Sequence, residues 1–112
     1  MAQKKKRAST TLAIMRRVQA EIDEIRAEAQ DAESHGERHT AEDLREDAKS
    51  LKSAWGYREY DFLYTDGGLT KTDVLALIKH DAKNPKSEMY NASPAQIKAT
   101  YTKATKRKPR KR

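Results

Sequence analysis

Residues 15–32, MRRVQAEIDEIRAEAQDA, decide the fold. Their apolar members Met15, Val18, Ile22, Ile25, Ala29 and Ala32 recur at steps of three and four, the spacing of one stripe along an α-helix. Helical character reaches back to about Ala8, where Ser9, Thr10 or Thr11 can cap the start. Gly36, inside the polar run Ser34-His35-Gly36-Glu37, marks the stop. Beyond it, Thr40 with Asp43 three residues on is expected to cap a second helix in a near capping box. The stripe resumes there at Ala41, Leu44, Ala48, Leu51 and Trp55. Two such helices around a Gly loop either fold back as an antiparallel hairpin or extend apart and pair with a second chain. The spacing fits both.

Downstream, Gly56 weakens the second helix, yet Tyr57, Tyr60 and Tyr64 keep helical spacing. Asp66-Gly67-Gly68 is a strong break. Thr70, with Asp73 at the third position, is expected to cap a shorter helix whose apolar face is Leu69, Val74, Leu77 and Ile78. Asn84-Pro85 ends that helix, and residues 84–92 read as a loop or a short extended piece. Ser93-Pro94-Ala95-Gln96 combines an N-cap Ser, a Pro at the first helical position and a Gln at the third, so a last helix should begin at Pro94. The expected fold is therefore all-α: a long coiled-coil-like hairpin or paired helices, then two short helices, with basic tails. Its parts are a basic arm (1–8), a helical oligomerisation region (9–82), a small C-terminal helical unit (83–105) and a basic tail (106–112).

The chain has 112 residues, 36% hydrophobic and 37% charged, with a mean hydropathy of −1.07. Such a chain is too polar for a thick core and suits helices sharing a narrow seam, which often complete their burial by association. Met15, Val18, Ile22, Ile25, Leu44, Leu51 and Trp55 are accordingly assigned to a homo-oligomer interface. The absence of Cys excludes disulfides, thiolate catalysis and Cys-based zinc sites. Neither longest apolar run, Leu12–Met15 or Val74–Ile78, approaches the length of a bilayer span. The basic start lacks the apolar stretch of a signal peptide. A soluble, cytoplasmic protein without membrane contact is expected.

Charge is segregated along the chain. Between Glu21 and Asp47 stand eleven acids against three bases (Arg26, Arg38, Arg45), a local net of −8 that leaves +15 on the rest of a +7 chain. Bases cluster at the ends, at Lys4, Lys5, Lys6 and Arg7 and at Lys98, Lys103, Lys106, Arg107, Lys108, Arg110, Lys111 and Arg112. Clustered bases are the footprint of a polyanion binder, because each neutralised phosphate releases condensed counterions. The plain alternative is a solvated tail with no partner. Pro109 keeps the tail extended, and Arg110 beside it suits the negative potential of a narrow A·T minor groove.

Other candidate chemistry is sparse. Trp55, Tyr57, Tyr60, Phe62 and Tyr64 form either a base-stacking platform or the packing where the third helix folds back, and are assigned to packing. His35 and His39 fall in the Gly36 loop with no Cys nearby, so no metal site is expected. His80 is expected to face solvent. The carboxylates flank the seam and read as solvating charge, with none in an apolar setting that would raise its pKa. No nucleophile motif or phosphate loop stands out. Neither catalysis, a cofactor nor a small-molecule substrate is expected.

The order of parts resembles the histone-like nucleoid-structuring (H-NS) family of bacterial DNA-binding proteins. Asp66-Gly67-Gly68-Leu69-Thr70, followed by Asp73-Val74-Leu75, looks like the turn and helix that close that family's oligomerisation domain. Asn84-Pro85-Lys86-Ser87, an aromatic at Tyr90, then Pro94 before Ile97 is similar to its DNA-binding unit, in which the aromatic lies on a strand. Where the family inserts a Gly-Arg loop into the minor groove, this chain has Asn91-Ala92-Ser93, so any groove contact passes to the tail from Lys106. The resemblance implies a nucleoid-associated or transcription-regulating role. The expected function is oligomeric nucleic-acid binding, to DNA ahead of RNA. The alternatives are a protein-binding adaptor or inhibitor, viral ones included, acting through the acidic helices, and an RNA-binding ribonucleoprotein component.

Overall fold

A computed structural model describes residues 10–110. They form five helices, α1 (Thr10–Ser34), α2 (Arg38–Tyr57), α3 (Tyr60–Asp66), α4 (Lys71–Ala82) and α5 (Pro94–Ala104), and no strand among the described residues. The fold is all-α as expected, with three short helices after the long pair instead of two.

α1 and α2 fold back as a hairpin, and Gly36 is the reason. Its φ of +79° is left-handed, which glycine adopts without steric cost. The Gly36 N–H donates to Glu33 O at 3.0 Å and the Glu37 N–H to Ala32 O at 2.9 Å, the pair of bonds that closes a Schellman cap. The turn is so tight that Glu37 O already accepts from the Ala41 N–H at 3.0 Å. Helix α2 therefore starts at Arg38 behind Glu37, without a side-chain cap. Thr40 lies inside the helix, and its expected capping role is corrected.

The second break was not legible as a break. Helix α2 ends at Tyr57 because Arg58 adopts a left-handed φ of 56°, with the Glu59 N–H reaching back to Ala54 O at 2.9 Å. Gly56, the weak point in the sequence, remains helical. The two downstream caps form as expected. Thr70 Oγ1 accepts from the Asp73 N–H at 3.1 Å while Asp73 Oδ2 accepts from the Thr70 N–H at 3.0 Å. Ser93 and Gln96 exchange the same two bonds, with Pro94 opening α5.

The hairpin has two unlike halves. Near the turn its seam is Ala29, Ala32 and Ala41, small side chains that let the helices approach closely. At the open end Ile14, Val18, Ile22 and Ile25 meet Leu51 and Ala54, and α3, α4 and α5 fold across them with Leu63, Val74, Leu77, Ile78 and Ala104. Val18, Ile22 and Ile25 are each 2% exposed and Leu51 is 0% exposed within this one chain. A bare helix pair could not cover them, but three short helices do. The oligomer-interface assignment of these residues is therefore corrected: they are consumed by the chain's own core.

The stripe also begins one residue earlier than expected. Ile14 is buried and Met15 is exposed. At 100° per residue, Ile14 lies about 40° from Val18 around the helix and Met15 about 60°. Leu44 and Trp55 are only partly buried at the edge of the core.

Candidate nucleic-acid interface

The exposed surface from α4 to the tail is almost purely basic. Residues 71–110 hold ten bases, Lys71, Lys79, Lys83, Lys86, Lys98, Lys103, Lys106, Arg107, Lys108 and Arg110, every one exposed. They hold three acids, Asp73, Asp81 and Glu88. Two of these are withdrawn from the surface. Asp73 is buried and pairs with Arg17 Nη1 at 2.5 Å, tying the α4 cap to α1. Asp81 is 1% exposed and pairs with Arg58 Nε at 2.8 Å. Glu88 is the one exposed acid within residues 71–110, while Asp61 and Asp66 of α3 stand beside Lys103 and Arg110.

Asp81 anchors a network that joins three elements. Its Oδ2 also accepts the Tyr60 hydroxyl at 2.5 Å. Arg58 Nη1 donates to Trp55 O at 2.9 Å, and its guanidinium lies 4.2 Å from the centre of the Trp55 ring, a cation–π stack. These bonds hold Arg58 in a backbone conformation that a non-glycine residue rarely takes. Burial and the bond to Asp81 push the Tyr60 hydroxyl well above its ordinary pKa. Asp81 is a carboxylate buried on the apolar face of α4, which the sequence reading did not single out, and Arg58 supplies its counter-charge. The signal was present, since Asp81 follows Leu77 by four residues and Ile78 by three on the buried face of α4.

A cleft of about 740 Å³ opens between α4 and α5. Leu75 and Ala82 from α4, with Pro94, Ile97 and Tyr101 from α5, give it an apolar lining. Lys79 and Lys83 stand on one wall and Lys98 on the other. Lys103 faces the other side of α5, beside Tyr60 and Asp61. Lys79, Lys83 and Lys86 were not among the expected site residues, although an i,i+4 lysine pair on an exposed helix face is readable from spacing.

Of the expected nucleic-acid residues, Lys98, Lys103, Lys106, Arg107, Lys108 and Arg110 are all exposed, with Lys98 on the cleft, Lys103 across α5 from it and Arg110 against α3. Lys4, Lys5, Lys6, Arg7, Lys111 and Arg112 lie outside the described residues. The tail does not project freely. The Arg110 N–H donates to Thr65 O at 2.8 Å, and its guanidinium lies 3.6 Å from Asp66.

The acidic residues occupy the hairpin instead, with Asp31, Glu33, Glu37, Glu42, Asp43, Glu46 and Asp47 exposed. Arg45 bridges the two helices to Glu33. The aromatic group packs as expected, Tyr60 and Tyr64 buried and Trp55 and Phe62 partly so, except that Tyr57 is exposed. His80 is exposed, as expected. His35 is also exposed, and its ring nitrogen lies 2.8 Å from Asp31 O, which raises its pKa. Tyr90 sits in a run of turns over residues 85–91, where the resemblance to the nucleoid-structuring family implied a strand. Among the described residues no group of three or more His, Cys, Asp or Glu is placed to hold a metal ion, and no helix is long and apolar enough to cross a membrane. Comparison with protein-family models, curated proteins and solved structures returned no match.

Proposed function

We propose that the protein binds nucleic acid, DNA ahead of RNA, by laying the phosphate backbone along the basic face of α4, α5 and the tail. The observation that carries this reading is the withdrawal of Asp73 and Asp81 from a surface whose ten bases are all exposed. Asp73 and Asp81 are used by the fold, in the α4 cap and the Arg58 network, and what remains at the surface of this region is a field of bases with few acids to neutralise it. Affinity then comes from counterion release, with little base readout by the face as a whole. Such a protein belongs in the cytoplasm, and at the nucleoid if the cell is bacterial.

The test is a salt titration of the unmodified protein against duplex DNA and RNA. The log of the binding constant is expected to fall linearly with log salt, by about 0.9 per duplex phosphate contacted. Absence of salt-dependent binding to either would remove the reading.

The acidic hairpin favours one second reading, an adaptor that covers a basic protein partner. Glu24, Glu28, Asp31 and Glu37 surround a shallow depression floored by Ala32 and Leu44, acidic at its rim and apolar at its base. A pulldown in which the hairpin captures a basic protein, with no affinity for nucleic acid, would favour it.

A further inference from the structure

Resting on the nucleic-acid reading, we propose that the cleft between α4 and α5 is a base-binding site for a single strand. A convex lysine face is sufficient for a duplex, which turns its phosphates outward and keeps its bases stacked inside. An apolar cleft has no use on such a surface, because a base must be unstacked, at a cost of a few kcal/mol, before it can enter. A single strand presents apolar base faces and phosphates together, which is the combination found here.

The floor is Leu75, Ala82, Ile97 and Tyr101, and the walls carry Lys79, Lys83 and Lys98 with no acid between them. Its volume of about 740 Å³ falls within the roughly 300–1,000 Å³ typical of small-ligand sites, ample for a base. Tyr101 supplies an aromatic ring and the lysines fix the backbone on either side, the pairing used for sequence-tolerant strand binding.

Asn91 stands at the same cleft, left-handed at φ 64° and held there by its N–H bond to Ala82 O at 2.9 Å. Its side-chain amide offers both a donor and an acceptor to a base edge. A glutamate-rich amphipathic helix would match the lysines and the floor as well. The strand is favoured because the positive charge does not stop at the cleft. Lys106, Arg107 and Lys108 follow Tyr101 by five to seven residues and are all exposed, so further bases stand within reach of a chain longer than the cleft, as a polymer of phosphates uses and a short peptide does not.

Fluorescence anisotropy with the full chain and three probes tests the site. The probes are an oligothymidylate, an abasic strand of the same length, and a duplex of equal phosphate number. The oligothymidylate is expected to bind about 5- to 150-fold tighter than the abasic strand, corresponding to about 1–3 kcal/mol for one stacked base. Tyr101→Ala should abolish that difference and Tyr101→Phe should keep it, with circular dichroism reporting the fold of both. Tyr101 also packs on the core, so the abasic comparison on the unmodified chain stands as an independent measurement. Equal affinity for all three probes with a normal salt slope overturns the cleft site and leaves the backbone reading intact. Failure to bind any probe overturns both. Tyr101-dependent binding of a glutamate-rich amphipathic peptide, with the nucleic acids bound alike, also overturns the site.

Discussion

Arg110 lies 3.6 Å from the carboxylate of Asp66, so the tail residue best suited to a minor groove is paired within its own chain. The bond from its backbone N–H to Thr65 O draws the tail across the end of α3. A phosphate that takes Arg110 competes with Asp66 for its charge.

That competition has a size. The Arg110 side chain is 72% exposed in the pair, and exposed ion pairs contribute about 0–1 kcal/mol. Asp66→Asn is therefore expected to raise DNA affinity by no more than about fivefold at low salt, with the gain fading as salt screens it. Asn keeps the carbonyl oxygen that accepts the Thr65 hydroxyl at 2.6 Å, so the melting temperature should barely move. Parallel anisotropy and thermal melts at two salt concentrations check both outcomes.

The Asp81 network predicts an alkaline limb in stability. Tyr60 has a folded pKa raised above its ordinary value of 10.0, first by burial and then by its bond to Asp81. The unfolded chain therefore loses the phenolic proton first. The contribution is complete below pH 10.0 and is lost as pH rises above it. Tyr60→Phe should flatten this limb relative to the unmodified protein in urea melts between neutral and strongly alkaline pH. At neutral pH the same substitution should cost about 1–3 kcal/mol, since it removes a buried donor. Asp81→Ala should cost about 3–5 kcal/mol, because Arg58 is left partly buried without its counter-charge.

Which parts of this were legible from sequence follows from how local their causes are. The caps at Thr70 and Ser93 need only residues three apart, and both formed as read. The Gly36 turn was equally legible, but the Schellman cap moved the next helix start three residues earlier than Thr40 implied. Arg58 was not legible. Nothing in its local sequence asks for a left-handed residue, and the side chains that hold it, Asp81 and Trp55, come together only in the folded chain. The oligomer assignment of Val18, Ile22, Ile25 and Leu51 failed for a similar reason. Periodicity shows that a stripe must be covered without showing what covers it, and the cover here comes from residues 60–104. The tail lysines were legible as charge, whereas the cleft needs α4 and α5 side by side.

Two glycines should respond oppositely to alanine. Gly56 is helical and a Cβ there would meet nothing within 4 Å. Gly56→Ala is expected to add about 0.5–1 kcal/mol by helix propensity. A Cβ on Gly67 would sit 2.6 Å from the carbonyl oxygen of Leu63. That backbone atom cannot move without disturbing α3, so Gly67→Ala should destabilise. Chemical denaturation of the two variants with a shared baseline gives the signs directly.

Core burial within one chain changes what an interface substitution should do. Ile22→Asp places a carboxylate among Val18, Ile25 and the residues of α4, where an unpaired charge is costly. The expected result is a chain that has lost its cooperative melt, not a folded monomer released from an oligomer. Leu51→Ala, which leaves a cavity without a charge, should cost about 2–5 kcal/mol. A folded, fully helical Ile22→Asp protein of lower mass by light scattering would return this residue to an intermolecular seam.

The tail separates phosphate binding from fold. Ala104 is the last buried residue of α5, so truncation after Thr105 removes no buried side chain among the described residues and loses the Arg110 bonds to Thr65 and Asp66 and the Lys106 N–H bond to Lys103 O. Helicity by circular dichroism should be unchanged. The deletion takes away Lys106, Arg107, Lys108, Arg110, Lys111 and Arg112. With about 0.9 per contacted duplex phosphate, the log–log salt slope should fall by up to about five units, alike for all duplex sequences. Any A·T preference should go with it, since Arg110 beside Pro109 is the residue suited to the narrow groove. On a single strand the coefficient is about 0.7, so the fall should be smaller. Discrimination against the abasic strand should survive, because Tyr101, Lys79, Lys83 and Lys98 all precede the cut. An unchanged duplex slope after truncation would show that the tail stays on Asp66 and that α4 and α5 carry the backbone contacts alone.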